Sequence, residues 1–216
     1  MKQQEKTQKT RERILAAALE EFGRKSYDAA AINSICEAGQ IPKGLLYHNF
    51  KNKDQLYLAC VALCYERMTA YMKAHAEDTG DARRALQSFL LTRQRFFAEN
   101  PHLANIFFNT VLYPPRHLQQ DLALLRRDFD AYLAQRYRAI LAHLTLREGI
   151  STEMALDYFS AIQEMFNSYF QKRAQAEGDY HALIGDHEDK LSGMMDILLY
   201  GIARETPDAA GKGTVK

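Results

Sequence analysis

Lys43, Gly44, Tyr47 and His48 fall within the stretch IPKGLLYHNFKNK, residues 41–53. On a helix, Lys43 with Tyr47 and Gly44 with His48 are each four apart and share one face; Leu46 and Phe50 share another. A face with a cation, a phenol, an imidazole and a bare glycine suits contact with phosphates and base edges. Elsewhere the reactive residue types do not assemble. Cys60 and Cys64 are four apart, a spacing that admits a shared metal or a redox pair, but only His75 lies near, several turns away. Small buried thiols are the expectation. His187 opens HEDKL, yet Leu191 stands where a zinc protease needs its second histidine. Glu99 and His102 have a di-iron Glu-x-x-His spacing, with Pro101 between them and no second copy. Neither Walker nor dinucleotide glycine loops occur. No catalytic residue, metal or cofactor is therefore expected, and His48, His102, His117 and the other histidines, His187 among them, are expected at the surface.

The elements that position these residues read as helix almost throughout. Hydrophobic residues make up 47% of 216, ordinary for a globular chain. No apolar run approaches membrane-spanning length, and MKQQEKTQKTRER is not followed by the greasy core of a signal peptide. Three cysteines make no disulfide framework, so a cytoplasmic protein is expected. Net charge is +1, but residues 1–55 hold ten Lys or Arg against seven Asp or Glu, and the first thirteen hold five against two. That asymmetry favours a nucleic-acid-binding end.

Apolar periodicity predicts a helix from Thr10 to about Lys25, with Ile14, Leu15, Ala18, Leu19 and Phe22 inward. A short helix over 31–38 follows, Gly39-Gln40 breaks it, and residues 41–53 hold a third. Longer helices are predicted over 56–76, 82–98, 103–112, 117–146, from Ser151 as N-cap, and over 188–203, with a loop over 178–185. The third helix is too short to persist alone in water. Held from behind by Leu46 and Phe50 against Ile14, Phe22 and Ile35, it completes a helix-turn-helix whose outer face enters a DNA major groove. Pro42 is expected at its first position.

The stretches RILAAALEEFGRKSYDAAAINSIC and KGLLYHNFKNKDQL resemble the DNA-binding domain of the TetR (tetracycline repressor) family of bacterial transcriptional regulators. The match covers about a quarter of the chain. It implies DNA contacts from Lys43, Gly44, Tyr47, His48 and Lys53; Asn33, Pro42, Leu45 and Asn49 complete the candidate reading surface. Ala30 replaces the family's usual capping Thr or Ser, with Asp28 expected to substitute, and the Ala-Gly turn reads Gly39-Gln40. Leu45 replaces a small polar residue and is placed to touch a thymine methyl.

The fold expected is all-α. A three-helix DNA-binding domain (1–53) joins a larger helical-bundle domain for ligand binding and dimerisation (54–205), followed by a flexible tail (206–216). One recognition helix reads few base pairs, so a homodimer on a palindromic operator is expected. The glue assigned to it is Tyr158, Ile162, Met165, Leu191, Met194, Met195, Leu198 and Ile202. Phe89, Phe96, Phe97, Phe107, Phe108, Tyr113, Phe166 and Tyr169, with Arg93, Asn109, Gln163 and Asn167 among them, suit a small, largely apolar effector of unknown identity. The competing class is a helical-bundle enzyme or carrier with a structural N-terminal domain; a thiol sensor through Cys60 and Cys64 is a third.

Overall fold

The computed structural model describes residues 2–75, 77, 79–176 and 180–203. Their regular elements are helices: α1 (Lys2–Arg24), α2 (Ile32–Ala38), α3 (Lys43–Asn49), α4 (Lys53–Ala74), α5 (Ala82–Glu99), α6 (Pro101–Leu112), a 3-10 turn (Arg116–Leu118), α7 (Gln119–Leu141), α8 (Thr152–Ala176) and α9 (Tyr180–Ile202). An isolated antiparallel bridge joins Leu146 to Ala203. The expected tail, 206–216, lies outside the described residues.

Several boundaries differ from the sequence reading, each for a local reason. The first helix runs back to Lys2 because Gln, Lys and Glu propagate helix without tertiary help, and Gln8 donates to Glu12 at 2.9 Å one turn on. The helix expected to reach 146 stops at Leu141, and residues 142–151 turn back toward α9, where Arg147 N donates to Ile202 O at 3.1 Å. The last helix begins at Tyr180 and passes through Gly185. Burial of Leu183 and His187 on that first stretch outweighs the cost of about 1 kcal/mol for a helical glycine.

Caps set the other starts. Asn52 accepts from Gln55 N at 2.8 Å, and the Gln55 side chain accepts in return from Lys51 N at 2.6 Å. Asp81 Oδ1 accepts from Arg84 N, and Ser151 Oγ from Met154 N. Asp28 does not cap α2. Glu21, on α1, accepts from Ala31 N at 3.0 Å and from Lys25 Nζ at 2.8 Å. Burial alone would raise the Glu21 pKa; these two donors and the nearby cations hold it below the usual carboxylate range.

One apolar core runs from Ile14 and Phe22 through α4 to α9. Contact between α1 and α6 is close at Gly23: a Cβ there would stand 2.5 Å from His102 Cβ and 2.8 Å from His102 Cα. Asn105 Nδ2 donates to Gly23 O at 2.7 Å, pinning the same crossing.

Candidate nucleic-acid interface

The turn between α2 and α3 is built by backbone hydrogen bonds from Gly39 N to Ile35 O, from Gln40 N to Glu37 O and from Ile41 N to Cys36 O, at 2.8–3.2 Å. Gly39 keeps an ordinary φ of −84° but has no room for a side chain: a Cβ would lie 2.5 Å from Ile41 Cδ1 and 2.9 Å from Ala17 Cβ. The left-handed step falls on Gln40, at φ 50°. The displaced glycine of this turn thus serves close packing on α1, and a glutamine takes the strain. Pro42 is the N-cap of α3, one place before the expected position, and its carbonyl accepts from Leu45 N and Leu46 N.

Behind α3, Leu46 and Phe50 are fully buried beside Ile14, Phe22 and Ile35. Lys43, Gly44, Tyr47 and His48 are exposed, Tyr47 at 44%. A Cβ on Gly44 would meet nothing within 4 Å. Packing does not require that glycine, whereas a surface approaching the backbone closely would. Asn33 on α2 is also exposed. Two candidates are less available. Asn49 is half-buried and donates its amide to Leu45 O at 2.8 Å, and Leu45 is half-buried against the core.

Lys53 is held at the start of α4, its ammonium 4.5 Å from the Tyr27 ring centroid and 3.4 Å from Asp28 O. Tyr27 donates to Asp54, which also meets His117 Nε2 at 3.2 Å. Burial first, then the Asp54 partner, pushes the Tyr27 phenol pKa up; the Tyr27 hydrogen bond, reinforced by His117, holds Asp54 down. Nothing in sequence spacing announces this cluster, whose members are 27 and 63 residues apart. Arg11, over Phe50 at 4.4 Å, was likewise unforeseen.

The expected effector residues are mostly core. Phe97 packs against Phe107 and Phe108 at 5.1 Å, Phe96 against Phe97 at 5.8 Å, and Phe89 against Tyr137 at 5.9 Å. Asn109 is buried, and Tyr113 donates to Ala174 O at 2.8 Å. Arg93 is spent on a buried ion pair with Glu188; His187 approaches Glu188 at 3.1 Å and Asn167 at 3.3 Å, ringed by Phe108, Phe166 and Phe170. His187 is thus an interior histidine, 2% exposed, where the sequence suggested a surface one. Tyr169 points outward. Only Gln163 of the twelve lines the cavity of about 490 Å³ that opens beside α4, α6, α7 and α8, together with Tyr65, Gln119, Arg126, Leu133 and Leu156. Phe97 and Phe108 border a smaller hollow of about 270 Å³.

Of the expected dimer residues, Leu191, Met195 and Ile202 turn into the protomer's core, while Met194 and Leu198 are half-buried. The exposed apolar edge is Tyr158, Met165 and Tyr169 on α8, with Ile162 half-buried, and Ile197 (74% exposed) and Tyr200 on α9. Period 3.6 located the stripe on α9 but not which flank faced inward. Among the described residues no three His, Cys, Asp or Glu side chains gather as a metal site, and no helix is long and apolar enough to cross a membrane.

A short, solvent-facing helix after a tight turn, backed by a packed three-helix head, defines a helix-turn-helix DNA-binding protein. Residues 14–60 match the family model described as "Bacterial regulatory proteins, tetR family". The HTH-type transcriptional regulator UidR of Escherichia coli is 27% identical over 154 residues, 70% of this chain and 76% of that protein. The transcriptional regulator AcuR of Cereibacter sphaeroides is 31% identical over 129 residues, 56% of this chain and 52% of its own length. A transcriptional regulator from Rhodococcus sp. superposes with a TM-score of 0.63 at 18% identity, covering 91% of this chain and 99% of the other. FadR from Bacillus subtilis, solved in complex with stearoyl-CoA, gives 0.59 at 16% identity over 83% and 96%. Residues 14–60 thus match the DNA-binding domain of the tetR family of bacterial regulatory proteins, and the relatives that extend beyond it are transcriptional regulators.

Proposed function

We propose that this protein is a homodimeric repressor that holds a palindromic operator through α3 and releases it when a small molecule fills the cavity beside α4. The observation that carries this reading is the sorting of α3: Lys43, Gly44, Tyr47 and His48 open to solvent, Leu46 and Phe50 fully buried. Lys53 adds a phosphate contact. Residues 1–53 act as the reading head and 54–205 as the effector-binding and dimerisation body, in the bacterial cytoplasm. The exposed edge of Tyr158, Met165, Tyr169, Ile197 and Tyr200 supports a second copy as partner, placing two heads on half-sites about 34 Å apart.

The effector is revised from the largely apolar molecule first expected. Gln119, Arg126 and Gln163 share the cavity of about 490 Å³ with Leu122, Leu133 and Leu156, so an effector with both a polar and an apolar side fits it. The cavity also takes Tyr65 from α4, the helix that begins at Lys53. An effector that favours one placement of α4 would therefore bias the heads by its differential affinity for the two states.

Capture of genomic fragments by the purified protein, followed by sequencing and footprinting, tests the reading. It predicts one enriched palindrome, lost in Lys43→Ala/Tyr47→Ala without loss of fold. No enrichment at low salt, with small-molecule binding or turnover retained in that variant, would favour the enzyme or carrier class instead.

A further inference from the structure

Beyond the recognition helix, the start of α1 carries a charge pattern with no structural use. Lys6, Lys9 and Arg13 stand at i, i+3 and i+7, a spacing that aligns them along one side of the helix. All three are exposed, and none has an ion-pair partner among the described residues. Of the neighbouring acids, Glu12 is engaged by Gln8 and Glu20 by Arg24 at 3.8 Å, and Glu5, one turn before Lys9, leaves the stripe with a surplus of positive charge. Residues 5–9 are exposed throughout, and the first buried residue of α1 is Ile14. Arg11 stacks over Phe50 at 4.4 Å, so the stretch ahead of that contact, from Glu5 to Thr10, runs about 8 Å at 1.5 Å per residue. A chain of net charge +1 carries this cationic spur locally.

The side on which the stripe lies is fixed by the turn. Ala17 follows Arg13 by one helical turn, and its Cβ is the atom that a side chain on Gly39 would strike at 2.9 Å. The segment Gly39–Gln40–Ile41, which leads into Lys43, thus sits against the face of α1 that carries Arg13, Lys9 and Lys6 about one, two and three turns earlier. A duplex seated on the exposed face of α3 would bring its flanking backbone toward that side.

We propose that the projecting start of α1 is a second DNA contact, in which Lys6, Lys9 and Arg13 grip the phosphate backbone beside the recognition helix without reading sequence. This rests on the reading of α3 as the DNA-binding helix. Its signature is electrostatic: each neutralised phosphate releases counterions and adds about 0.9 to the slope of log affinity against log salt. Three contacts make about 2.7 per protomer.

The test is fluorescence anisotropy between about 50 and 200 mM salt, on one duplex recovered by genomic capture and one of scrambled sequence. The proteins compared are wild type, Lys6→Gln/Lys9→Gln/Arg13→Gln, the charge-preserving Lys6→Arg/Lys9→Arg/Arg13→Lys, and a control, Arg127→Gln/Arg147→Gln/Lys172→Gln, with exposed body positions changed. The glutamine variant is expected to lose about 2.7 of slope per protomer on both duplexes, with unchanged helicity by circular dichroism. The charge-preserving variant and the control keep the wild-type slope. Wild type that binds while the glutamine variant keeps its full slope overturns this proposal alone, as does a loss that charge preservation fails to restore. Wild type that binds neither duplex overturns the helix-turn-helix reading, and the proposal with it.

Discussion

Replacing Gly23 by alanine sets two opposed effects against each other. Helix propensity favours alanine, by about 0.5 kcal/mol this near the end of α1. Against it, the new methyl would stand 2.5 Å from His102 Cβ and 2.8 Å from His102 Cα, where carbon atoms prefer 3.5–4.0 Å. A side-chain rotation cannot relieve contact with backbone, so α6 must retreat by about 1 Å. Overpacking of this kind costs roughly 1–3 kcal/mol. The retreat also stretches the 2.7 Å bond from Asn105 to Gly23 O, a further loss of about 1 kcal/mol. The net is a destabilisation of about 2 kcal/mol, or ~4–8 °C in Tm for a chain of this length. Gly44→Ala is the matched control: its methyl meets nothing, so propensity alone acts and the melting temperature holds or rises while DNA affinity falls. Urea and thermal unfolding followed by circular dichroism measure both. A Gly23→Ala protein as stable as wild type would refute the claim that this crossing needs a bare backbone.

The turn before α3 gives a second pair of opposite signs. Gln40→Gly relieves a left-handed residue and should stabilise by about 1 kcal/mol, whereas Gly39→Ala should destabilise; chemical denaturation reads both. Glu188→Ala strands Arg93 in the core and should cost about 3–5 kcal/mol by the same assay. Burial lowers the His187 pKa more than Glu188 raises it, so the native state resists a proton that the unfolded chain accepts below ~6.5. Stability should therefore fall as pH drops from about 6.5 toward that lowered value, and His187→Gln should flatten the fall in a series of melts across the window. Cys60 and Cys64 are buried and their thiol pKa values pushed up by desolvation, Cys64 to about 12, so neither should react with a thiol reagent in the native protein at pH 8. Rapid modification of either would revive the thiol-sensor reading.

Periodicity and composition determined much by themselves. The all-helical class, the inward stripe of Ile14, Ala18 and Phe22, and the two-sided sorting of residues 43–50 follow from a repeat near 3.6 and from local residue type. Such signals are short-range, so they survive without knowledge of the rest of the chain. Aromatic residues on α5 and α6 were legible, but not whether they line a cavity, because a ring that lines a cavity and a ring that fills a core have the same spacing. Only packing against α7, α8 and α9 decided that Phe96, Phe97, Phe107 and Phe108 touch one another, that Arg93 meets Glu188 95 residues away, and that Leu191, Met195 and Ile202 face inward. The joint of Tyr27, Asp54 and His117 was decided in the same way. A helix's own repeat specifies which residues share a side; which side becomes buried depends on neighbours brought together from distant parts of the chain.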